Sequence, residues 1–175
     1  MRWGVLAMGI LSENAFTDSA ARKLNRHWKS HGLRIAPGGS QKSVRKFESR
    51  YSVILPKDLR EYFLTLDGMI DQLGSECDRE GFGFYSLSRV KNICEEYASL
   101  KMKRPILPTI SNPENYFVFV DYLQWCWAYA IRLSNNLSES NEVIHVGTVE
   151  PKVIAQSFSE FVDLYLKDAR DLYPG

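Results

Sequence analysis

The 175-residue chain fits one ordinary domain, and its 45% hydrophobic and 25% charged content is close to the globular average, which excludes disorder of the chain as a whole. Its cysteines, Cys77, Cys94 and Cys126, are odd in number and lack C-x-x-C spacing, so neither a disulfide framework nor a zinc site is expected. The net charge of +1 conceals an asymmetry, because residues 1–50 hold ten Lys and Arg against three Asp and Glu while the remainder is acid-rich. That pattern fits a basic arm or an acidic interaction face, or an even mixture once the chain is folded.

The apolar run from Trp3 to Leu11 loosely resembles a signal-peptide core, but its basic start is weak and Glu13 sits badly for cleavage, so a cytoplasmic setting is expected. The run is far shorter than the ~20 residues of a membrane span. A first helix is expected from Thr17, with Ala20, Leu24 and Trp28 on one face, Arg22, Lys23, Arg26 and Lys29 on the others, and Gly32 at its end. Pro37-Gly38-Gly39-Ser40 reads as a hinge, which sets residues 1–40 apart as an N-terminal extension to a domain spanning 41–175.

Val44, Phe47 and Tyr51 form the stripe of a second helix. A third opens at Pro56, carries Asp58 and Glu61 near its positive end and buries Leu59, Tyr62, Phe63 and Leu66; Asp67-Gly68 is expected to stop it. Residues 67–83 read as a polar surface loop, Phe82–Tyr85 as a short strand, and Ser86 as the cap of a helix with a Leu87, Val90, Ile93, Cys94 and Tyr97 stripe. Pro105, Pro108 and Pro113 mark an extended connection.

Tyr116–Tyr122 is nearly unbroken apolar sequence, as in a strand buried on both faces. Trp125–Leu133 alternates large and small residues as a second strand; Glu142–Val146 and Lys152–Ala155 follow as further strands. The last helix opens with Ser157 and Glu160, a capping box, and presents Phe158, Phe161, Leu164 and Tyr165 to the core. Helices, then a meander, then a closing helix give an α+β fold with a mainly antiparallel sheet flanked by helices.

Local chemistry points away from catalysis. His27 and His31 have the spacing of a metal pair, but Trp28 stands where a metalloprotease needs glutamate and no third ligand is evident. His145 lies in an apolar strand and reads as a core histidine. No G-x-S-x-G signature occurs, and Gly81-Phe82-Gly83-Phe84 lacks the lysine and third glycine of a phosphate loop. The acids Asp67, Asp71, Glu76, Asp78 and Glu80 fail calcium-loop spacing, and Asn136-Leu137-Ser138 matters as a glycosylation acceptor only after secretion. No catalytic residue, metal or cofactor is assigned. Reviving a hydrolase reading requires a pocket with convergent polar groups.

Glu48 ahead of Leu55-Pro56, the Asp67-Gly68 pair, the Phe84-Tyr85-Ser86-Leu87 step and the ending Ala155-Gln156-Ser157-Phe158-Ser159-Glu160-Phe161 occur in an order that resembles the SUKH superfamily, the domain shared by yeast cell-wall assembly regulators and many bacterial immunity proteins. The resemblance covers about residues 41–170. It implies a non-enzymatic bacterial protein that neutralises a cognate toxin, often a nuclease, by direct binding. On that reading the acidic segment supplies the partner-binding residues, Asp71, Glu76, Asp78 and Glu80, because an acidic patch steers association with a basic nuclease surface. A solvated loop with no partner is the alternative for that segment. A rival function is nucleic-acid binding or regulation through the basic first helix, against which stand the pI of 7.7 and the acidic remainder.

Overall fold

The computed structural model describes residues 18–70, 77–100, 110–136, 139–147 and 151–173. The N-terminal apolar run, Pro105, Pro108 and most of the Asn136-Leu137-Ser138 site lie outside them. The helices are α1 (Ala20–Ser30), α2 (Gln41–Tyr51), α3 (Lys57–Thr65), α4 (Ile93–Ser99) and α5 (Phe158–Leu166). The strands are β1 (Arg34–Pro37), β2 (Leu66–Ile70), β3 (Phe82–Phe84), β4 (Lys91–Asn92), β5 (Tyr116–Tyr122), β6 (Trp127–Arg132), β7 (Val143–Val146) and β8 (Lys152–Ala155).

The expected α+β architecture is present. β5 to β8 form an antiparallel meander; β3 and β4 pair in tandem along the outer side of β5, and β1 and β2 form a separate antiparallel ladder. Aromatic rings bind the helices to the sheet. Phe119 of β5 meets Phe158 and Phe161 of α5 at 5.8 and 5.0 Å between centroids, and Tyr129 of β6 meets Phe161 at 5.0 Å. At the other end of β5, Phe117 takes Phe47 and Tyr51 of α2 at 5.6 and 5.0 Å.

Two carboxylates fix how the helices begin. The Leu55 amide donates to Glu48 Oε1 at 2.8 Å, and Arg60 pairs with the same oxygen, so Glu48 closes the α2–α3 corner around Leu55-Pro56. Asp58 Oδ2 of α3 accepts from both the amide and the hydroxyl of Ser159 at 2.8 Å, satisfying an orphan donor in the first turn of α5. Ser157 accepts the Glu160 amide, while the Glu160 carboxylate reaches back one residue further, to the Gln156 amide.

Several sequence expectations are corrected. Pro37–Ser40 is a tight junction rather than a hinge: Pro37 pairs with Leu66, the Gly39 amide donates to the Phe63 carbonyl at 2.7 Å, and a Cβ on Gly38 would lie 2.0 Å from the Leu64 oxygen. The glycines serve close backbone approach. Asp67-Gly68 does not stop α3, which ends at Thr65 because Leu66 is already paired in β2; Gly68 keeps its positive φ of 86° inside that strand. Ser86 opens a turn, closed by the Arg89 and Val90 amides, instead of a helix. α4 starts only after Lys91 and Asn92 have paired with Val118 and Phe117, and Asn92 caps it. Trp125 precedes β6, whose first pair is Trp127 with Tyr122.

α1, expected as part of an extension, buries Leu24 and Trp28 completely. The Trp28 ring stands edge-on to Phe84 at 5.0 Å and Tyr62 at 6.4 Å, so residues 18–40 contribute a helix to the same core. Trp28→Ala is expected to destabilise the whole body by about 3–5 kcal/mol in urea unfolding, as a core aromatic truncation does. A loss below ~1 kcal/mol would mean that α1 is dispensable to the fold.

Candidate partner-binding face

One end of the sheet carries an unusual backbone. Between Tyr122 and Trp127 the chain reverses through Leu123, Gln124 and Trp125, whose φ angles are 46°, 54° and 73°. The Cys126 amide closes this left-handed turn on the Tyr122 carbonyl at 3.0 Å. Each non-glycine residue held so costs roughly 1–2 kcal/mol, which the surroundings must offset.

They do so from two sides. Trp125 Nε1 donates to the Tyr85 hydroxyl at 2.9 Å, and that hydroxyl donates to Asp121 Oδ2 at 2.9 Å. Arg89 lies 3.8 Å over the Tyr85 ring and 3.3 Å from the same carboxylate oxygen. From the other side, the Leu123 amide donates to the Gly81 carbonyl at 2.8 Å, and a Cβ on Gly81, φ 101°, would sit 2.6 Å from Leu123 Cδ2. Leu123 is half exposed at 50%, and Gln124 and Cys126 are exposed beside it.

Gly81 belongs to a turn built on Asp78. The Asp78 carboxylate accepts from the Phe82 amide at 2.8 Å through Oδ1 and from the Tyr165 hydroxyl at 2.6 Å through Oδ2; Trp28 Nε1 donates to that hydroxyl at 3.1 Å. Arg79 and Glu80 in this turn are exposed, and Glu80 directly precedes the Gly81 that meets Leu123. Tyr122 and Trp127 stack at 4.0 Å on the flank, and the Tyr173 hydroxyl donates to exposed Asp168 at 2.5 Å. Burial, with Asp168 next in effect, raises the Tyr122 pKa. The face thus combines an apolar tip, half-buried aromatic rings and the acids Glu80 and Asp168. Protein interfaces favour apolar and aromatic residues at their centre and leave polar groups to the rim.

The four sequence-assigned partner residues fare differently. Glu80 is exposed on this face. Asp78 is turned inward, 7% exposed, with both oxygens engaged by the core; it positions the turn and presents no surface. Asp71 and Glu76 lie outside the described residues. Leu123 and Gln124 escaped the sequence reading because Tyr-Leu-Gln-Trp-Cys contains none of the Gly, Asn or Asp that ordinarily announce a left-handed turn, and Asp168 because it follows α5, far in sequence from the acidic segment.

The other chemistry considered from sequence is also placed. His27 and His31 lie with ring centroids 4.3 Å apart and tilted at 40°, burial and then His31 lower the His27 pKa, and no group of three potential metal ligands occurs among the described residues. His145 is buried, and burial lowers its pKa. On α1, Lys23 bonds Asp163 at 2.7 Å and Arg26 pairs with Asp18, so part of its basic charge is already matched. No helix among the described residues is long and apolar enough to cross a membrane.

The model of the SMI1 / KNR4 family (SUKH-1) matches residues 38–164. No curated protein matches the chain.

Burial holds the Asp78 carboxyl above the usual aspartate range, against the opposing bonds from Tyr165 and Phe82. A raised folded pKa means stability that is full below the unfolded value and lost as pH rises through the folded one. Asp78→Asn removes this titration and keeps an acceptor for the Phe82 amide. Between about pH 4 and pH 7 the melting temperature of the variant should therefore gain on that of the wild type. Parallel melting curves would mean that the Asp78 carboxyl contributes no pH dependence to folding.

Proposed function

The chain belongs to the SMI1/KNR4 family (SUKH-1), and from that premise we propose that it is a non-enzymatic immunity-type protein that binds and neutralises a cognate bacterial toxin. The observation that carries this reading is the junction of Gly81 with Leu123, where two turns distant in sequence are locked into one exposed surface. A strained backbone kept in place by a buried network is a common mark of a functional site. A preformed surface also binds without the ordering cost of a mobile loop.

The roles follow from the geometry. Leu123 is the apolar anchor, with Trp127 and Tyr122 as the rings beside it. Glu80 and Asp168 supply negative charge, and Asp71 and Glu76 precede the turn in the same acidic segment. A toxin acting on nucleic acid carries a basic surface for phosphates. Acids placed opposite it raise the association rate and disfavour partners of the wrong charge. Covering such a surface blocks substrate access with no reaction by the inhibitor, and the bacterial cytoplasm is the proposed setting.

Co-expression with the product of the adjacent gene, followed by size-exclusion chromatography and a growth assay, tests this function. Co-elution with restored growth is the expected outcome; no complex and no rescue would overturn it. Within the complex, Leu123→Asp and Glu80→Lys should each weaken affinity about tenfold or more, with circular dichroism unchanged. Undiminished affinity in both variants would move the interface off this face.

A further inference from the structure

A second feature lies at the opposite end of β5. Phe117 and Tyr122 are five residues apart, so roughly 17 Å of strand separates the two ends. At the Phe117 end, α2 and the turn from Leu87 to Val90 enclose a groove of about 320 Å³. Phe47, Tyr51, Leu87 and Val90 give it an apolar lining; Ser43, Lys46 and Arg50 line it from α2, and Asp67 and Ser88 from outside that helix. The outer surface of α2 adds Lys42 and Arg45, both exposed.

The chemistry of the lining limits what can fill it. Arg50 reaches Glu95 at 3.2 Å and lies 4.8 Å over the Tyr51 ring, an exposed arrangement that a second carboxylate can share. Asp67 accepts the Leu87 amide at 2.7 Å, which fixes a carboxylate on the far side of the groove. Along α2 the distance from Ser43 to Arg50 is roughly 10 Å, about the length of three extended residues. A nucleic-acid duplex needs a track of cations following its phosphates, and the carboxylates of Asp67 and Glu95 interrupt such a track here. An apolar floor beside two cations instead matches one apolar and one acidic side chain on a short peptide.

We propose that this groove docks a short extended peptide segment of a partner protein, with an acidic side chain between Lys46 and Arg50 and an apolar side chain on Phe47, Leu87 and Val90. The site is independent of the toxin-binding face and would let the protein hold a second partner while that face is covered. Because Lys46, Arg50 and Ser88 are exposed, substitutions there leave the core packing alone.

The test uses the full 15N-labelled chain and a panel of acetylated, amidated hexapeptides. Each peptide carries one aspartate or glutamate placed one to three positions from a leucine, isoleucine or phenylalanine. Saturable shifts at the amides of Ser43, Lys46, Arg50 and Ser88, weakened by salt, are expected from at least one peptide. Lys46→Glu with Arg50→Glu should reduce the affinity about tenfold, and Ser88→Trp, which fills the groove without changing charge, should do the same. Absence of shifts across the panel overturns the proposal, as does equal binding when lysine replaces the acid. Shifts of the same amides by a 12-base-pair DNA duplex, with none from the peptides, would reassign the basic rim to nucleic acid.

Discussion

The Tyr165 hydroxyl is the point on which the arrangement of this protein turns. It donates to Asp78 and accepts from Trp28, so one oxygen joins α5, the turn before β3 and α1, segments separated by 87 and 137 residues. Each partner is buried, and an unpaired polar atom there would cost about 1–3 kcal/mol. The bonds therefore specify the packing as well as stabilise it. The Tyr165 ring packs at 4.9 Å on Phe84, next to Trp28, and the Asp78 turn delivers Gly81 to the place where Leu123 must close over it.

Much of the body was legible in the sequence, and the reason is periodicity. α1, α2, α3 and α5 each carry a hydrophobic repeat that agrees with the burial they achieve, and β5 to β7 are buried along nearly their whole length. Glu48 marked a family motif as sequence and proves to be a corner clamp, accepting the Leu55 amide and pairing with Arg60. Where local reading failed, a long-range contact had overruled local preference. Ser86 is a good helix cap, yet the chain pairs Lys91 and Asn92 with β5 before α4 starts. Gly38-Gly39 resembles a linker in isolation, and only the carbonyls of α3 explain it.

The candidate face was half legible for the same reason. Composition marked the acidic segment, and Glu80 stands on the surface as an acid there should. Composition cannot separate it from Asp78 two residues earlier, because inward direction is set by Phe82 and Tyr165. Nor could it foresee three left-handed residues in Leu123-Gln124-Trp125, whose conformation depends on Tyr85 and Gly81, both remote in sequence. The charge asymmetry between the first 50 residues and the remainder does persist in part: α2 presents Lys42, Arg45, Lys46 and Arg50 at one end of β5, and Glu80 and Asp168 lie towards the other.

The left-handed turn also separates what holds the surface from what the surface displays. Its conformation is secured by backbone bonds and by the Trp125 ring bonded to Tyr85, whereas Gln124 is exposed. At such an exposed left-handed position, replacement by asparagine, aspartate or glycine keeps the turn, whereas a β-branched residue strains it. On the proposed reading, point changes at the tip alter what the surface recognises while the body beneath keeps its shape.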